Sequence, residues 1–253
     1  MFKSQVDKTI DKIAREINTG GTILFCGAGI SFNSGIPVVN QLMSEVISKL
    51  GFEEHERQQL LKAFPSFEGF MQLLLENMGN TLLFDAFDPH KTGEISDQRR
   101  YANTNHIFIA NLMKSGKVNT VVTTNFDRLI EEELQCGEPR WREKKDYDVF
   151  YLERTKGDQP GYSDINWGRR PIKPRIIKIH GSMHARDELA ITLARVAGET
   201  FSTARTSVLE HVFAGDIHRQ VLILGYSCSD VFDITVFFTS EKVPILLTKK
   251  YPL

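Results

Sequence analysis

Four short segments combine glycines with side chains that can bind a nucleotide or move a proton. The first, FCGAGISFNSGIP at residues 25–37, follows an apolar run. Closely spaced glycines let backbone amides approach a phosphate, because no side chain stands in the way. The dinucleotide fingerprint GxGxxG is incomplete, since Phe32 replaces its third glycine, and no acidic residue ends a second strand about twenty residues later. The loop therefore predicts a nucleotide site of another pattern, with Gly27, Ala28, Gly29 and Ser31 as candidate contacts.

The second segment, VVTTNFD at residues 121–127, ends an apolar run in an amide and a carboxylate. Thr124, Asn125 and Asp127 would lie at the carboxyl edge of a sheet, where they are candidate ligands of a nucleotide. A turn with a helix cap is the alternative interpretation, because Asn and Asp favour both positions and a helical pattern follows at residues 128–134.

The third and fourth segments also end apolar runs. IIKIHGS at residues 176–182 contains His180, and an imidazole can act as a general base near neutral pH, although a single His is commonly structural. LILGYSCSD at residues 222–230 offers the backbone of Gly225 and the hydroxyl of Ser227. Together, the four strand ends predict a nucleotide-binding cleft at one sheet edge.

The apolar runs are continuous rather than alternating, which indicates parallel strands covered on both faces. They lie at residues 22–25, 118–123, 175–179, 220–224 and 243–248. Helical patterns fill the intervals, notably at residues 38–50, 67–87, 104–115 and 206–213. This alternation predicts an α/β fold with a doubly wound, mostly parallel, Rossmann-like sheet.

We expect residues 1–253 to form one domain with two insertions. Residues 51–101 are predicted to form a smaller helical lobe, and residues 137–174, which are polar and rich in Pro and Gly, an irregular loop or hairpin region. The apolar run at residues 64–75 either packs the lobe's own core or forms a contact surface. Whether residue 253 ends the natural protein or a fragment of it stays open.

Composition narrows the function classes. A net charge of −1 and a pI near 6.7 favour neither nucleic acid nor an acidic membrane as partner. The chain has three cysteines, Cys26, Cys136 and Cys228, without a CxxC pair, which fits a reducing compartment and no four-thiolate zinc site. Because neither a secretory signal nor a membrane-spanning apolar run is visible, we expect a cytoplasmic location.

In their order and wording, the four segments resemble the sirtuin family over residues 21–247, and TTNFD, KIHGS and LILGYSCSD are similar to bacterial sirtuin-like domains of antiviral defence proteins. The resemblance implies NAD as ligand. It implies that Ala28, Gly29 and Ser31 lie near the phosphates, and Gly225 and Ser227 near the adenosine half. It further implies Asn125 and Asp127 near nicotinamide and its ribose, and His180 as catalytic base.

Two features of protein-deacylating sirtuins are missing. Their zinc ribbon has two CxxC pairs after the HG motif, whereas residues 181–220 contain no cysteine. Their SGIP is followed by Asp-Phe-Arg, whereas this chain reads Val38-Val39-Asn40. These departures argue against lysine deacylation and leave cleavage of NAD to nicotinamide and ADP-ribose, so we expect a metal-free NAD glycohydrolase. The resemblance further implies that it depletes NAD in antiviral defence and is held silent by homo-oligomerisation, a further domain or a regulatory partner protein.

Two alternatives stay open. One is an NAD-dependent protein deacylase or ADP-ribosyltransferase, and the other is a non-catalytic sensor of NAD or ADP-ribose. The presence of both Asn125 and His180 favours an enzyme. NADP stays open as a ligand, because no arginine clearly marks a 2′-phosphate site.

Overall fold

The computed structural model of the chain describes residues 4–36, 39–63, 67–87, 101–136, 138–152, 160–167, 171–182, 199–213, 220–227 and 234. Within these residues, five strands form one sheet in which every pairing is parallel. The order across the sheet is β3-β4-β2-β1-β5. The strands are β1 (Thr22–Cys26), β2 (Val118–Thr123), β3 (Asp148–Phe150), β4 (Arg175–Lys178) and β5 (Val221–Leu224).

The described α-helices are α1 (Gln5–Thr19), α2 (Val39–Lys49), α3 (Glu54–Ala63), α4 (Phe67–Phe87), α5 (Thr104–Lys114), α6 (Leu129–Cys136) and α7 (Glu199–Phe213). Local sequence sets their ends. For example, α1 begins at a capping box in which the Ser4 hydroxyl accepts from the Asp7 amide and the Asp7 carboxylate accepts from Ser4. It ends at Gly20, whose φ is +79°. None of the described helices is long and apolar enough to cross a membrane.

Both faces of the sheet are covered. Leu24 and Cys26 of β1 pack with Ile109 and Met113 of α5 on one face, together with part of α1 and α6. Ile23 and Phe25 point to the other face, where they pack with side chains of α7, among them Leu209. Continuous apolar strands are thus buried on both sides, and the predicted doubly wound, Rossmann-like α/β fold is confirmed.

The order of the strands places a crossover beside β1. After β1 the chain builds β2, β3 and β4 on one side, and then returns to place β5 on the other side. In open α/β sheets, ligands bind beyond the carboxyl ends of the strands at such a reversal. The loops that follow β1 and β5 therefore flank the expected ligand crevice.

The helices α2, α3 and α4 form a separate apolar cluster. Met43, Val46 and Ile47 of α2 pack against Phe67, Phe70, Met71 and Leu74 of α4. The described part of the apolar run at residues 64–75 therefore packs mainly into this helical core, although the side chain of Leu73 is exposed. Phe64 lies outside the described residues.

One predicted region differs from the structure, and one predicted strand lies outside the described residues. The expected irregular stretch at residues 137–174 contains β3, which pairs with β4 in parallel, so these two strands are not a hairpin. With three residues, β3 is too short to give a recognisable apolar run, although Tyr147, Val149 and Tyr151 all point into the core. The predicted strand at residues 243–248 lies outside the described residues.

Candidate active site

The four predicted segments meet at one edge of the sheet. Cys26, the last residue of β1, is level with Thr123 of β2 and Leu224 of β5, and Thr123 is level with Lys178 of β4. Backbone hydrogen bonds extend this alignment into the loops, from Thr124 N to Cys26 O at 3.0 Å and from Ile179 N to Thr123 O at 2.9 Å. The segments that contain the predicted site residues therefore all follow strands at the same carboxyl edge of the sheet.

The glycine loop after β1 interlocks with the loop after β5. The amide of Gly29 donates to the carbonyl of Gly225 at 2.7 Å. A Cβ atom on Gly29 would lie 2.8 Å from that carbonyl oxygen, and one on Gly225 would lie 2.4 Å from the amide nitrogen of Ile30. These glycines are thus required for contact between two protein loops. Binding of phosphates by Gly27, Ala28, Gly29 and Ser31 stays a prediction.

The helix α5 holds the glycine loop from the other side. Asn103, the N-cap of α5, donates from Nδ2 to the carbonyls of Ile30 and Phe32 at 2.9 and 2.8 Å. Asn105 donates to the Ile30 carbonyl at 3.0 Å. Hydrogen bonds within the protein therefore hold the loop on both flanks.

A buried hydrogen-bond network joins Ser31, Asn125, Asp127 and His106. The Ser31 hydroxyl donates to Asp127 Oδ2 at 2.9 Å, lies 3.2 Å from His106 Nε2, and accepts from Asn125 Nδ2 at 3.0 Å. Asn125 Nδ2 also contacts Asp127 Oδ2 at 3.3 Å. His106 is fully buried, and burial lowers its pKa, an effect that Asp127 opposes and Lys178 reinforces.

Asn125 leaves one polar atom without a partner. Its side chain is 6% exposed, and its Oδ1 has no hydrogen-bond partner among the residues that the structure describes. Leaving a buried carbonyl oxygen unsatisfied costs about 1–3 kcal/mol. A ligand or water that donates a hydrogen bond at this position would remove that cost.

Asp127 accepts hydrogen bonds from two parts of the chain, and the predicted support of a helix start is confirmed, whereas contact with a nucleotide stays a prediction. Its Oδ1 accepts from the backbone amide of Leu129 at 3.1 Å, which supports the start of α6. Its Oδ2 accepts from Ser31 in the site. One carboxylate therefore fixes the beginning of a helix and the hydroxyl of the glycine loop together.

His180 lies directly after β4 and beside the Asn125 loop. It is 9% exposed, and its ring centroid lies 6.3 Å from that of Phe126. The next residue, Gly181, has a φ of +82°, which turns the chain immediately after the histidine. The structure thus brings His180 to the same edge as Asn125, whereas its role as a base stays a prediction.

A buried ion pair lies beneath this loop. Lys178 Nζ lies 3.0 Å from Glu131 Oε1, and both side chains are 1% exposed. The same ammonium group donates to the backbone carbonyl of Asp127. Arg128 Nε lies 4.0 Å from the same Glu131 oxygen and also pairs with Glu143 at 2.6 Å. Lys178 therefore ties β4 to α6 and to the loop before it.

The loop after β5 and Cys26 complete the edge. Gly225 and Ser227 are exposed, so both predicted contacts of the adenosine half are accessible. Burial, and secondarily the charge of Asp127, raises the pKa of the Cys26 thiol to about 12, so this thiol stays protonated at neutral pH. Among the described residues, no group of three or more His, Cys, Asp or Glu side chains could hold a metal ion.

The sequence analysis did not identify three residues near the site, His106, Lys178 and Glu131. His106 appeared as one polar residue in an apolar helix, although the preceding Asn103 marks a helix start. Lys178 interrupts the apolar run IIKI, and this charge in a central strand was the signal for a buried ion pair with Glu131.

Comparison with known proteins agrees with this fold. Residues 119–240 match the family described as SIR2-like domain. The chain is 22% identical over 230 residues to the NAD(+) hydrolase ThsA of Enterococcus faecium, and this alignment covers 87% of the chain and 40% of that protein. It is 24% identical over 233 residues to the NAD(+) hydrolase ThsA of Acinetobacter baumannii (strain 532279), and this alignment covers 91% of the chain and 41% of that protein.

The alignments span about two fifths of each of these relatives. The matched family region begins in β2 and includes the Asn125 loop, His180 and the loop after β5. It thus covers three of the four segments on which the sirtuin resemblance rests. The resemblance inferred from the sequence is therefore confirmed, with residues 119–240 matching the SIR2-like domain family.

Proposed function

We propose that this domain is an NAD glycohydrolase that cleaves NAD to nicotinamide and ADP-ribose without a metal ion. The names of the two relatives, which align over 87% and 91% of the chain, support this activity. The observation that carries the proposal is the amide oxygen of Asn125, a buried acceptor without a partner among the described residues, at the ligand edge of the sheet.

An amide oxygen accepts hydrogen bonds and cannot donate them, so the group that meets Asn125 Oδ1 must be a donor. A water molecule and a ribose hydroxyl both fit this requirement. In the proposed reaction Asn125 orients the attacking water and binds the ribose hydroxyls. The backbone of the glycine loop, from Gly27 to Ser31, binds the phosphates, and Gly225 and Ser227 bind the adenosine half.

The chemistry requires little acid catalysis. When the bond between the anomeric carbon and the ring nitrogen breaks, its electron pair neutralises the pyridinium, so nicotinamide leaves without being protonated. Positive charge develops on the ribose, as in other glycosyl transfers. Water then forms the new carbon–oxygen bond, and His180 accepts the proton that water loses. Asp127 holds Ser31 and Asn125 in place, and its contact with the nicotinamide carboxamide is part of the proposal.

The test is release of nicotinamide and ADP-ribose from NAD by purified protein. Losing an orienting amide or a base typically costs about 10²–10⁴-fold, so Asn125→Ala and His180→Ala should lower turnover by this factor. His55→Ala on α3 is the matched control, because His55 is exposed and distant in sequence from the four segments. Folded Asn125→Ala and His180→Ala proteins with wild-type turnover would refute the site.

The same assay separates the alternatives. Tight binding of NAD with no nicotinamide release would support a non-catalytic sensor. Nicotinamide release with ADP-ribose appearing on protein, rather than as free ADP-ribose, would support a transferase. Nicotinamide release coupled to loss of acyl groups from protein lysines, with the acyl group transferred to ADP-ribose, would support a deacylase.

The biological role that we propose is depletion of cellular NAD in antiviral defence in the cytoplasm, with activity held silent by homo-oligomerisation or by a regulatory partner. Its support is the resemblance of three site segments to sirtuin-like domains of defence proteins. Infected cells that express the wild-type chain should lose NAD, whereas cells that express Asn125→Ala should retain it. Equal NAD levels in both cultures would contradict this role.

A further inference from the structure

We propose that His106 is a positioning residue for this site: it fixes the direction of the hydrogen bonds through Ser31, Asp127 and Asn125, and so keeps the amide oxygen of Asn125 turned toward the ligand. The inference deepens the proposed NAD cleavage and rests on it for its kinetic consequence. Its structural content can be tested without any activity.

The first step concerns the tautomer of His106. The backbone amide of Asn103, which can only donate, lies 3.2 Å from His106 Nδ1. Nδ1 must therefore be the acceptor and carry no proton. In a neutral imidazole the proton then resides on Nε2. The capping box at the start of α5 thus sets the tautomer of a residue that faces the site.

The second step concerns the Ser31 hydroxyl, which has one hydrogen to donate and two lone pairs that accept. His106 Nε2, at 3.2 Å, uses one lone pair, and Asn125 Nδ2, at 3.0 Å, uses the other. The hydrogen is left for Asp127 Oδ2, at 2.9 Å. All three positions on the hydroxyl are therefore occupied, and their directions follow from the proton on His106 Nε2.

The third step concerns the orientation of the Asn125 amide. Its NH2 group meets two acceptors, Ser31 Oγ at 3.0 Å and Asp127 Oδ2 at 3.3 Å. A flipped amide would bring Oδ1 against the Asp127 carboxylate and against a hydroxyl whose hydrogen is already used. This orientation would replace two attractive contacts with repulsive ones, so Oδ1 stays turned away from the network.

The charged groups around His106 lie on other elements. Asp127, on the loop between β2 and α6, is the neighbouring negative charge, and Lys178 on β4 is the positive one. Protonation of His106 would place a hydrogen on Nδ1, which faces the Asn103 amide donor. Burial lowers the pKa of His106, in agreement with a neutral imidazole in this position.

Two substitutions test the roles of the two ring nitrogens of His106 separately. His106→Gln keeps an amide that can donate near the Nε2 position and shifts the acceptor away from Asn103. His106→Asn keeps an acceptor near the Nδ1 position for Asn103 and removes the donor to Ser31. A residue with a purely structural role would give activities that follow the folded fraction of each protein.

We expect His106→Asn to lower kcat by about 10- to 100-fold with little change in KM for NAD. The reason is that a displacement of the reacting groups by about 1 Å lowers the rate by up to about 10²-fold. His106→Gln should recover most of this loss even where its stability is no higher. Wild-type kcat in folded His106→Asn, or equal kcat values in both variants, would overturn the proposal.

Nitrogen NMR of the labelled wild-type protein gives a readout independent of catalysis. His106 should show a proton on Nε2, and the side-chain amide hydrogens of Asn125 should exchange slowly with water and shift in His106→Asn. A proton on Nδ1, or an Asn125 amide unaffected by His106→Asn, would refute the positioning role. If the wild type cleaves no NAD while these signals are as expected, the proposed activity fails and the positioning network stands.

Discussion

Replacement of Gly225 by alanine tests the interlocked loops at the ligand edge. Gly225 has a φ of +61°, and a residue with a Cβ atom in this left-handed region costs about 1–2 kcal/mol. The new Cβ would also lie 2.4 Å from the amide nitrogen of Ile30 and 2.7 Å from the carbonyl carbon of Gly29. Both are backbone atoms, so no side-chain rotation can relieve the contact.

The magnitude follows from adding the two effects. Overpacking typically costs about 1–3 kcal/mol, so the free energy of unfolding should fall by about 2–5 kcal/mol in total. Domains of this kind have a total stability of about 5–15 kcal/mol, which makes the loss easy to measure. Separation of the loops after β1 and β5 is the structural consequence that we expect.

Gly116→Ala is the matched control. Gly116 has a φ of +70°, but a Cβ atom there would meet no described atom within 4 Å. This variant therefore carries the conformational cost alone. Urea unfolding followed by circular dichroism should show that Gly225→Ala loses at least about 1 kcal/mol more than Gly116→Ala. Equal losses in the two variants would show that the loops separate freely, and the argument for interlocked glycines would be wrong.

Two further predictions concern buried charge. Lys178→Met should lower the free energy of unfolding by about 3–5 kcal/mol, because it removes the cation nearest to the buried Glu131 and leaves Arg128 4.0 Å away. Lys178→Met combined with Glu131→Leu should recover much of this loss in urea unfolding, and a double variant no more stable than the single one would contradict the prediction. The pKa of His106 is lowered in the folded state, so unfolded chains bind more protons below the ordinary value of 6.5, and stability should decrease as the pH falls from 6.5 toward the folded pKa. His106→Asn should lack this part of the pH dependence between pH 5 and 7, and an unchanged slope of unfolding free energy against pH in this variant would refute the assignment.

Much of the architecture could be predicted because it is local in sequence. The strands from residues 22, 118, 175 and 221 are continuous apolar runs, and such runs in alternation with helical patterns are typical of a doubly wound sheet. The predicted helix at residues 67–87 has the bounds that the structure gives α4. The candidate residues followed from the same logic, since carboxyl ends of parallel strands meet at one edge.

The contacts within the site could not be predicted because they join distant residues. His106 lies 75 positions from Ser31, and Asp127 lies 96 positions from it. Nothing near His106 in the sequence indicates a hydroxyl partner. The glycines illustrate a different difficulty: their spacing suggested contact with phosphate, whereas the need for Gly29 and Gly225 comes from the approach of β5 to β1, which only the tertiary fold reveals.

The network around Ser31 argues for a site that is formed before its ligand binds. Partly satisfied polar groups are costly at low dielectric, so a buried cluster is expected to fill its hydrogen bonds internally. Here the Ser31 hydroxyl uses all three of its positions, both hydrogens of the Asn125 amide have acceptors, and each Asp127 oxygen has a donor. Within this group the atom left without a described partner is Asn125 Oδ1. A cluster that satisfies its other members and presents one oriented acceptor has the geometry required to hold a hydroxyl or a water against a reacting carbon, without rearranging when substrate arrives.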